Sequence, residues 1–243
     1  MSARWVAALL LALVAGACVR QLPPVAPAAP PGGAIALPEG FPAAEYERAA
    51  ARGEPVYRID PERSLVVVRV YRAGPLARFG HDHVVASRSV QGYALLAPEG
   101  SRADLYAPLA QLTVDEPALR AAAGFDSPLS ASDIEGTRRN MLEALEAARF
   151  PFVSVHLRSE GGALRAEVSL HGATRPVSVA AAVEHPGAEA VHARGRFSLR
   201  QTDFGIRPFA FLGGALQVRD RVDIDFDVYG ARVDAAGIRP RAE

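Results

Sequence analysis

His81 and His83 stand two residues apart, so on a β-strand both imidazoles face one side and Asp82 the other. Two histidines on one face are a fragment of a metal site. Zinc requires three or four ligands, and the rest would have to come from His156, His171, His185, His192 or a carboxylate. No spacing among these marks such a set. A metal held there would activate water, which makes a metal-dependent hydrolase at His81 and His83 one reading of the chain. Contact of both imidazoles with the polar head of a bound molecule is a second. A polar rim or turn after Arg78-Phe79-Gly80 is a third. Arg138 and Arg139 offer guanidinium forks that suit an anionic head group, or else a solvated helix face. Ser, His and Asp are all present, but no Gly-x-Ser-x-Gly elbow occurs and no catalytic constellation is complete. The sequence therefore reads as that of a binding protein rather than an enzyme, with no cofactor.

Composition bounds the partners. The 243 residues carry 27 basic and 27 acidic side chains, and every basic one is Arg. A neutral balance argues against nucleic acid, whose binders need a surplus of positive charge. The single cysteine, Cys18, excludes an intramolecular disulfide. It follows one positive residue (Arg4), an apolar run from Trp5 to Val14, and Ala15-Gly16-Ala17. This is the layout of a secretory signal, too short in its apolar part to span a bilayer of roughly 30 Å. Gly16-Ala17-Cys18 resembles the lipobox of bacterial lipoproteins. Residues 1–17 are thus expected to be a lipoprotein signal peptide and Cys18 the acylated attachment to the membrane. Each buried acyl methylene contributes about 0.8 kcal/mol to such an anchor. Val19, where an aspartate would retain the protein at the inner membrane, directs the expectation to the periplasmic side of the outer membrane. Residues 18–55 then form a tether rich in Pro and Ala, with a short helix over Ala43 to Arg52, and 233–243 a C-terminal tail.

Residues 56–232 must supply the framework. Val222, Ile224, Phe226 and Val228 alternate with Asp223, Asp225 and Asp227, the pattern of a strand with one wet face. Leu164, Ala166, Val168 and Leu170 repeat it, as do Val177, Val179, Ala181 and Val183, and the stretch between them reads as a hairpin link. Further strands are expected at 56–59, 64–71, 84–86, 92–96, 103–106, 112–114, 153–157, 191–199 and 215–218. Ser132-Asp133-Ile134-Glu135 predicts a capped helix whose Ile134, Met141, Leu142 and Leu145 share one side, ended by Phe150-Pro151. A second short helix is expected from Pro117 to Ala123. The fold class is all-β with a helical insert: an antiparallel barrel or sandwich.

Several of these segments together are similar to one family. Tyr57-Arg58-Ile59-Asp60-Pro61-Glu62-Arg63-Ser64 with the valine-rich strand after it resembles the opening of YceI-like domains. Arg138-Arg139-Asn140-Met141 with Phe150-Pro151 resembles that family's helix and the following strand. Leu170 to Val177 resembles its central hairpin, and Phe197 to Ile206 with Asp220-Arg221-Val222-Asp223-Ile224 its last strands. Arg63 stands where the family usually has His. The resemblance implies an extended, lipocalin-like antiparallel β-barrel of about eight strands. Its lumen would take up a long-chain isoprenoid such as a polyprenol, a prenyl quinone or a similar amphiphile, for binding or transport in the cell envelope.

A barrel of that size has room for one ligand when its inward positions are not all filled. The candidate lumen residues are Val66, Val68, Val70 and Tyr93 from the first half, and Leu164, Val168, Phe197, Ile224 and Phe226 from the second. Phe204, Phe209 and Phe211 are candidates for the mouth. The competing reading is a solid barrel that serves envelope stress or binds a partner through its surface, without a lipid.

Overall fold

The structure is a computed structural model that describes residues 37–97, 100–160 and 163–238. The signal segment, Cys18 and the tether up to residue 36 lie outside the described residues, as does the end of the tail. Chain order begins with helix α1 (Ala43–Ala51), then β1 (Val56–Ile59), β2 (Leu65–Val70), β3 (Arg72–Ala73), β4 (His83–Ser87), β5 (Gln91–Leu95), β6 (Arg102–Pro108) and β7 (Thr113–Val114). Helices α2 (Pro117–Ala122) and α3 (Ala131–Ala144) interrupt the strands. The second half runs β8 (Phe152–Glu160), β9 (Ala163–Leu170), β10 (Ala173–Val177), β11 (Ala180–Glu184) and β12 (Ala190–Arg200). It ends with β13 (Ala210–Phe211), β14 (Leu216–Val218), β15 (Arg221–Arg232) and the short helix α4 (Ala235–Ile238).

β15 is the spine. Along one edge it pairs with all of β12, from Arg200 opposite Arg221 to Ala190 opposite Ala231. Along the other edge its first half pairs with β2 and its end with β1. β1 leads through β5, β6, β8 and β9 to β10, while β2 leads through β4 to β7. All these pairings are antiparallel, and together they make a 12-stranded sheet; β13, β14 and β3 form a second, three-stranded one. The strand total exceeds eight because turns cut what would be continuous strands, as residues 60–64 do between β1 and β2.

The large sheet is strongly curved but does not close into a barrel. β10 pairs only with β9 and β11 only with β12, so two edges face the gap that residues 178–179 cross. Pro176 explains one of them: proline has no N–H to give to a further strand and is confined to edges. The expected single strand from Val177 to Val183 is broken at this point. The partner of β9 is accordingly β10, reached through His171 and Gly172 at φ 54° and 74°. Two successive positive φ angles make a type I′ turn, whose twist matches that of the flanking strands.

α3 begins two residues earlier than the sequence pattern suggested. Ser130 Oγ accepts from Asp133 N at 3.2 Å and Asp133 Oδ2 accepts from Ser130 N at 3.0 Å, a capping box one serine upstream of Ser132 and Glu135. α1 packs on the outer face of the sheet, where Tyr46 and Ala49 are wholly buried with Val56, Leu95 and Ile238 of α4.

Close approach of β5 and β6 fixes Gly92, at φ 134°. A Cβ there would stand 2.0 Å from Asp104 O and 2.9 Å from Leu105 Cα. Gly92→Ala is expected to lower stability by about 2–4 kcal/mol, read as a shift in the denaturant midpoint. An unchanged midpoint would contradict this packing of β5 on β6.

Candidate functional site: an apolar cavity under the helical insert

The curved sheet encloses a cavity of about 390 Å³, within the range of pockets that hold small molecules. Its walls follow from alternation. Val66, Val68 and Val70 of β2 face it, as do Val222, Ile224, Phe226 and Val228 of β15. Phe197 and Leu199 of β12 and Val168 and Leu170 of β9 complete that side. The acids between them point outward and are met there. Arg69 stands 2.5 Å from Asp225, His192 Nε2 2.7 Å from Asp227, and Ser198 Oγ donates to Asp223 at 2.7 Å. Carboxylates that find partners in water on one face leave the other face free to be apolar.

α3 lies over the cavity with Thr137, Asn140, Met141 and Ala144, positions one and two turns apart on one stripe, and its C-cap Leu145 joins them. Ile134 and Leu142, expected on that stripe, do not line it. None of the helix's residues is fully buried, so α3 covers the cavity without being sunk into the core. Polar lining is sparse: His83, Ser87, Gln201, Thr137 and Asn140, besides the Tyr106 hydroxyl, which donates to Gln91 at 3.0 Å.

Of the candidates named for the lumen, mouth and head group, Val66, Val68, Val70, Val168, Phe197, Phe209, Ile224 and Phe226 line the cavity, and so does His83. The others do not. Tyr93 points to the outer face, 5.4 Å from the Tyr46 ring, with its hydroxyl donating to Ile238 O at 3.3 Å; α1 makes that face apolar too. Leu164 has the inward phase of Val168 but sits past the cavity's end and is exposed. Phe204 is buried beside Val168 and Ile206 as core, because the 3₁₀ turn over 201–204 folds it under β9. Phe211 is exposed on β13. Arg138 donates to Ala110 O at 2.6 Å and Arg139 is exposed, so neither reaches the cavity. The inward row Val153, Val155 and Leu157 of β8 was visible as alternation. The contributions of Thr137 and Asn140 were not, since no apolar pattern marks them.

The histidine pair is divided. His83 Nδ1 lies 2.6 Å from Asp115 Oδ2, while Asp115 Oδ1 accepts from Val84 N at 3.0 Å and from Arg120 Nη1 at 2.8 Å. Asp115 is buried at φ 55°, a left-handed conformation that Asp tolerates better than most residues. Burial pushes its carboxyl up, but the hydrogen bonds from His83, Val84 and Arg120 outweigh it and hold the carboxyl below its ordinary value. An ionised carboxylate only accepts, so His83 Nδ1 is the donor, and Nε2 lies on the opposite edge of a ring that forms cavity wall. His81 stands 6.4 Å away, ring to ring, and does not line the cavity. Its imidazole is lowered from the ordinary value by partial burial, then by the neighbouring His83, Arg120 and Arg72. Asp82 is taken by Arg72, whose backbone N–H donates to it at 2.8 Å. Among the described residues no group of three or more His, Cys, Asp or Glu could hold a metal ion. The arrangement orients one imidazole, that of His83, and leaves His81 apart from it.

Architecture and site define a lipocalin-like class: an antiparallel sheet curled about a mostly apolar pocket. The chain belongs to the YceI-like domain family, whose profile matches residues 57–229. Among curated proteins none matches it. Among solved structures it is similar to a polyisoprenoid binding domain from Saccharophagus degradans implicated in plant cell wall breakdown. The two are 13% identical with a TM-score of 0.52, over 73% of this chain and 98% of that one. It is also similar to BcnA of Burkholderia cenocepacia (14% identical, TM-score 0.48, 70% of this chain and 98% of that one). A third is a Campylobacter jejuni YCEI protein, 7% identical with a TM-score of 0.40, over 60% and 82% of the two chains.

Asp115→Asn keeps the shape and the left-handed backbone but removes the charge that pairs with Arg120. It is expected to cost about 3 kcal/mol at neutral pH. A carboxyl held below its unfolded value stabilises the fold above roughly pH 4 and loses that contribution as pH falls through the folded value. The gap between parent and variant should therefore narrow in acid; a gap constant from pH 7 to pH 3 in urea melts would contradict the assignment.

Proposed function

We propose that the protein binds a long-chain isoprenoid lipid, of the polyprenol or prenyl quinone kind, with part of its tail in the cavity beneath α3. The observation that carries this reading is the cavity lining, in which rows of Val, Leu, Ile and Phe meet only a handful of polar groups. Apolar surface withdrawn from water contributes about 25 cal/mol per Å², so such a cavity binds a tail without any charged contact. Membership of the YceI-like family supports it, and the similar domain of Saccharophagus degradans is described as polyisoprenoid binding. His83, with Nε2 available, together with Asn140 and Thr137, is the group that would receive the polar end of the cargo. The protein carries its cargo rather than transforming it, on the periplasmic side of the envelope as a lipoprotein held through acylated Cys18 in the outer membrane. The lipobox-like Gly16-Ala17-Cys18 supports that placement.

Val168 faces the cavity, whereas its neighbour Glu167 is exposed on the other face of β9. Val168→Arg is expected to weaken uptake of a polyprenol by delipidated full-length protein by about tenfold or more, since a guanidinium would enter apolar space. Glu167→Arg should leave uptake unchanged. Equal effects of the two, in a fluorescence titration, would refute the cavity as the binding site. Cys18→Ser is expected to move the protein from salt-washed membranes to the soluble periplasmic fraction. Retention on those membranes would refute the acyl anchor.

A further inference from the structure

Large apolar side chains are exposed at only a few places among the described residues, and four of the seven sit together at one end of the molecule. Phe79, Phe209, Phe211 and Leu212 are 64%, 44%, 56% and 65% exposed. They are borne by the small sheet of β13, β14 and β3 and by the tight turns at 77–79 and 212–214. Phe211 lies opposite Leu216, Gln217 opposite Ala73, and Leu76 N donates to Ala215 O at 2.8 Å, so these segments form one flap. Leu212 is held at φ 50°, a conformation that costs a leucine roughly 1–2 kcal/mol, and it is the most exposed large apolar residue of the set. Strain combined with exposure of a leucine does nothing for stability.

The flap is continuous with the cavity. Phe209 is part of the cavity wall and of the exposed patch at once, and Val218, also in the wall, donates its N–H to Phe209 O at 2.9 Å. Its charge is one-sided. Segments 71–82 and 205–220 carry four arginines and two aspartates. Both aspartates are engaged, Asp82 by Arg72 and Asp220 by the N–H and hydroxyl of Thr202. Arg78, Arg207 and Arg219 make no ion pair among the described residues. Arg78 lies over the Phe79 ring at 4.5 Å, so a cation flanks one apolar tip directly, and Arg219 lies over Tyr71, just before β3, at 5.5 Å.

Area selects the occupant. Three half-exposed phenylalanines and one leucine present on the order of 400 Å² of apolar surface, about half of the roughly 800 Å² that each side of a stable protein interface buries. A few apolar tips with arginines among and beside them are instead what inserts shallowly into a bilayer with anionic head groups. We infer that this flap is a membrane-docking face, which sets the mouth of the cavity against an anionic phospholipid surface. The inference goes beyond cargo binding, and docking stands whether or not the cavity takes an isoprenoid.

The test uses the single native cysteine. Full-length protein with Cys18→Ser carries no acyl chain and no other thiol, so an environment-sensitive dye on Leu212→Cys reports the flap alone. A dye on Val183→Cys, exposed on β11 toward the far end of β12, is the control. Vesicles of phosphatidylethanolamine and phosphatidylglycerol should shift the Leu212→Cys dye to the blue and expose it to quenching by brominated acyl chains. The control dye should show neither change. Phosphatidylcholine vesicles, high salt, or Arg78→Gln with Arg219→Gln should weaken the response by about tenfold. No shift at position 212, an equal shift at position 183, or an equal response to phosphatidylcholine would overturn the proposal. A blue shift that appears with protein concentration in the absence of vesicles would overturn it in favour of a second copy of the chain. Val168→Arg in the same background keeps the dye response even where uptake is lost, which separates failure of docking from failure of cargo binding.

Discussion

A row of carboxylates decides which way the sheet curls. Asp223, Asp225 and Asp227 alternate with four apolar residues along the strand that pairs with three others. A slip of one residue would turn every carboxylate inward. Each charge so buried costs several kcal/mol when it has no partner. Outside, each finds one, in Ser198, Arg69 and His192. Register, inside-outside sense and the apolar character of the cavity are thus one constraint seen three ways, and the neighbouring strands inherit it through their pairing with β15.

That constraint leaves the ends of the sheet to other devices. Pro176 and the two-residue link at 178–179 keep β10 and β11 from pairing, so the wall is curved and incomplete rather than sealed. α3 lies across the cavity without a fully buried residue and holds on through one stripe, while its cap is made with Ser130 and Asp133. A cover attached by partial burial opens at lower cost than a core helix. Polar groups are gathered near this cover, where the buried Asp115 and Arg120 fix the imidazole of His83. An apolar interior with one oriented polar rim is the division of labour an amphiphile requires.

Much of this was legible in the residues. Period-two alternation located β2, β9, β12 and β15 and seven of the cavity's apolar candidates, because a half-wet strand writes its inward face into the chain; Phe209 was named only as a mouth residue. The errors have physical causes. Tyr93 alternates correctly but on a strand whose outer face is also covered, by α1, and no pattern in β5 says which apolar face looks inward. Leu164 has the right phase but lies past the cavity's end. Phe204 belongs to a turn, where alternation predicts nothing. The link from His83 to Asp115 spans 32 residues and depends on a left-handed aspartate, which pairwise spacing does not encode. The cap was expected at Ser132 with Glu135, but Asp133, bonding back to the Ser130 N–H, sets it two residues earlier.

The account turns on the cavity being occupied by a lipid tail. Mass spectrometry of an organic extract from natively purified protein addresses this most directly. A co-purifying polyprenyl species, present near one per protein and absent from extracts of the Val168→Arg variant, is the predicted result. An extract with no such lipid, from protein that after stripping also takes up none of the polyprenols or prenyl quinones offered to it, would contradict the account.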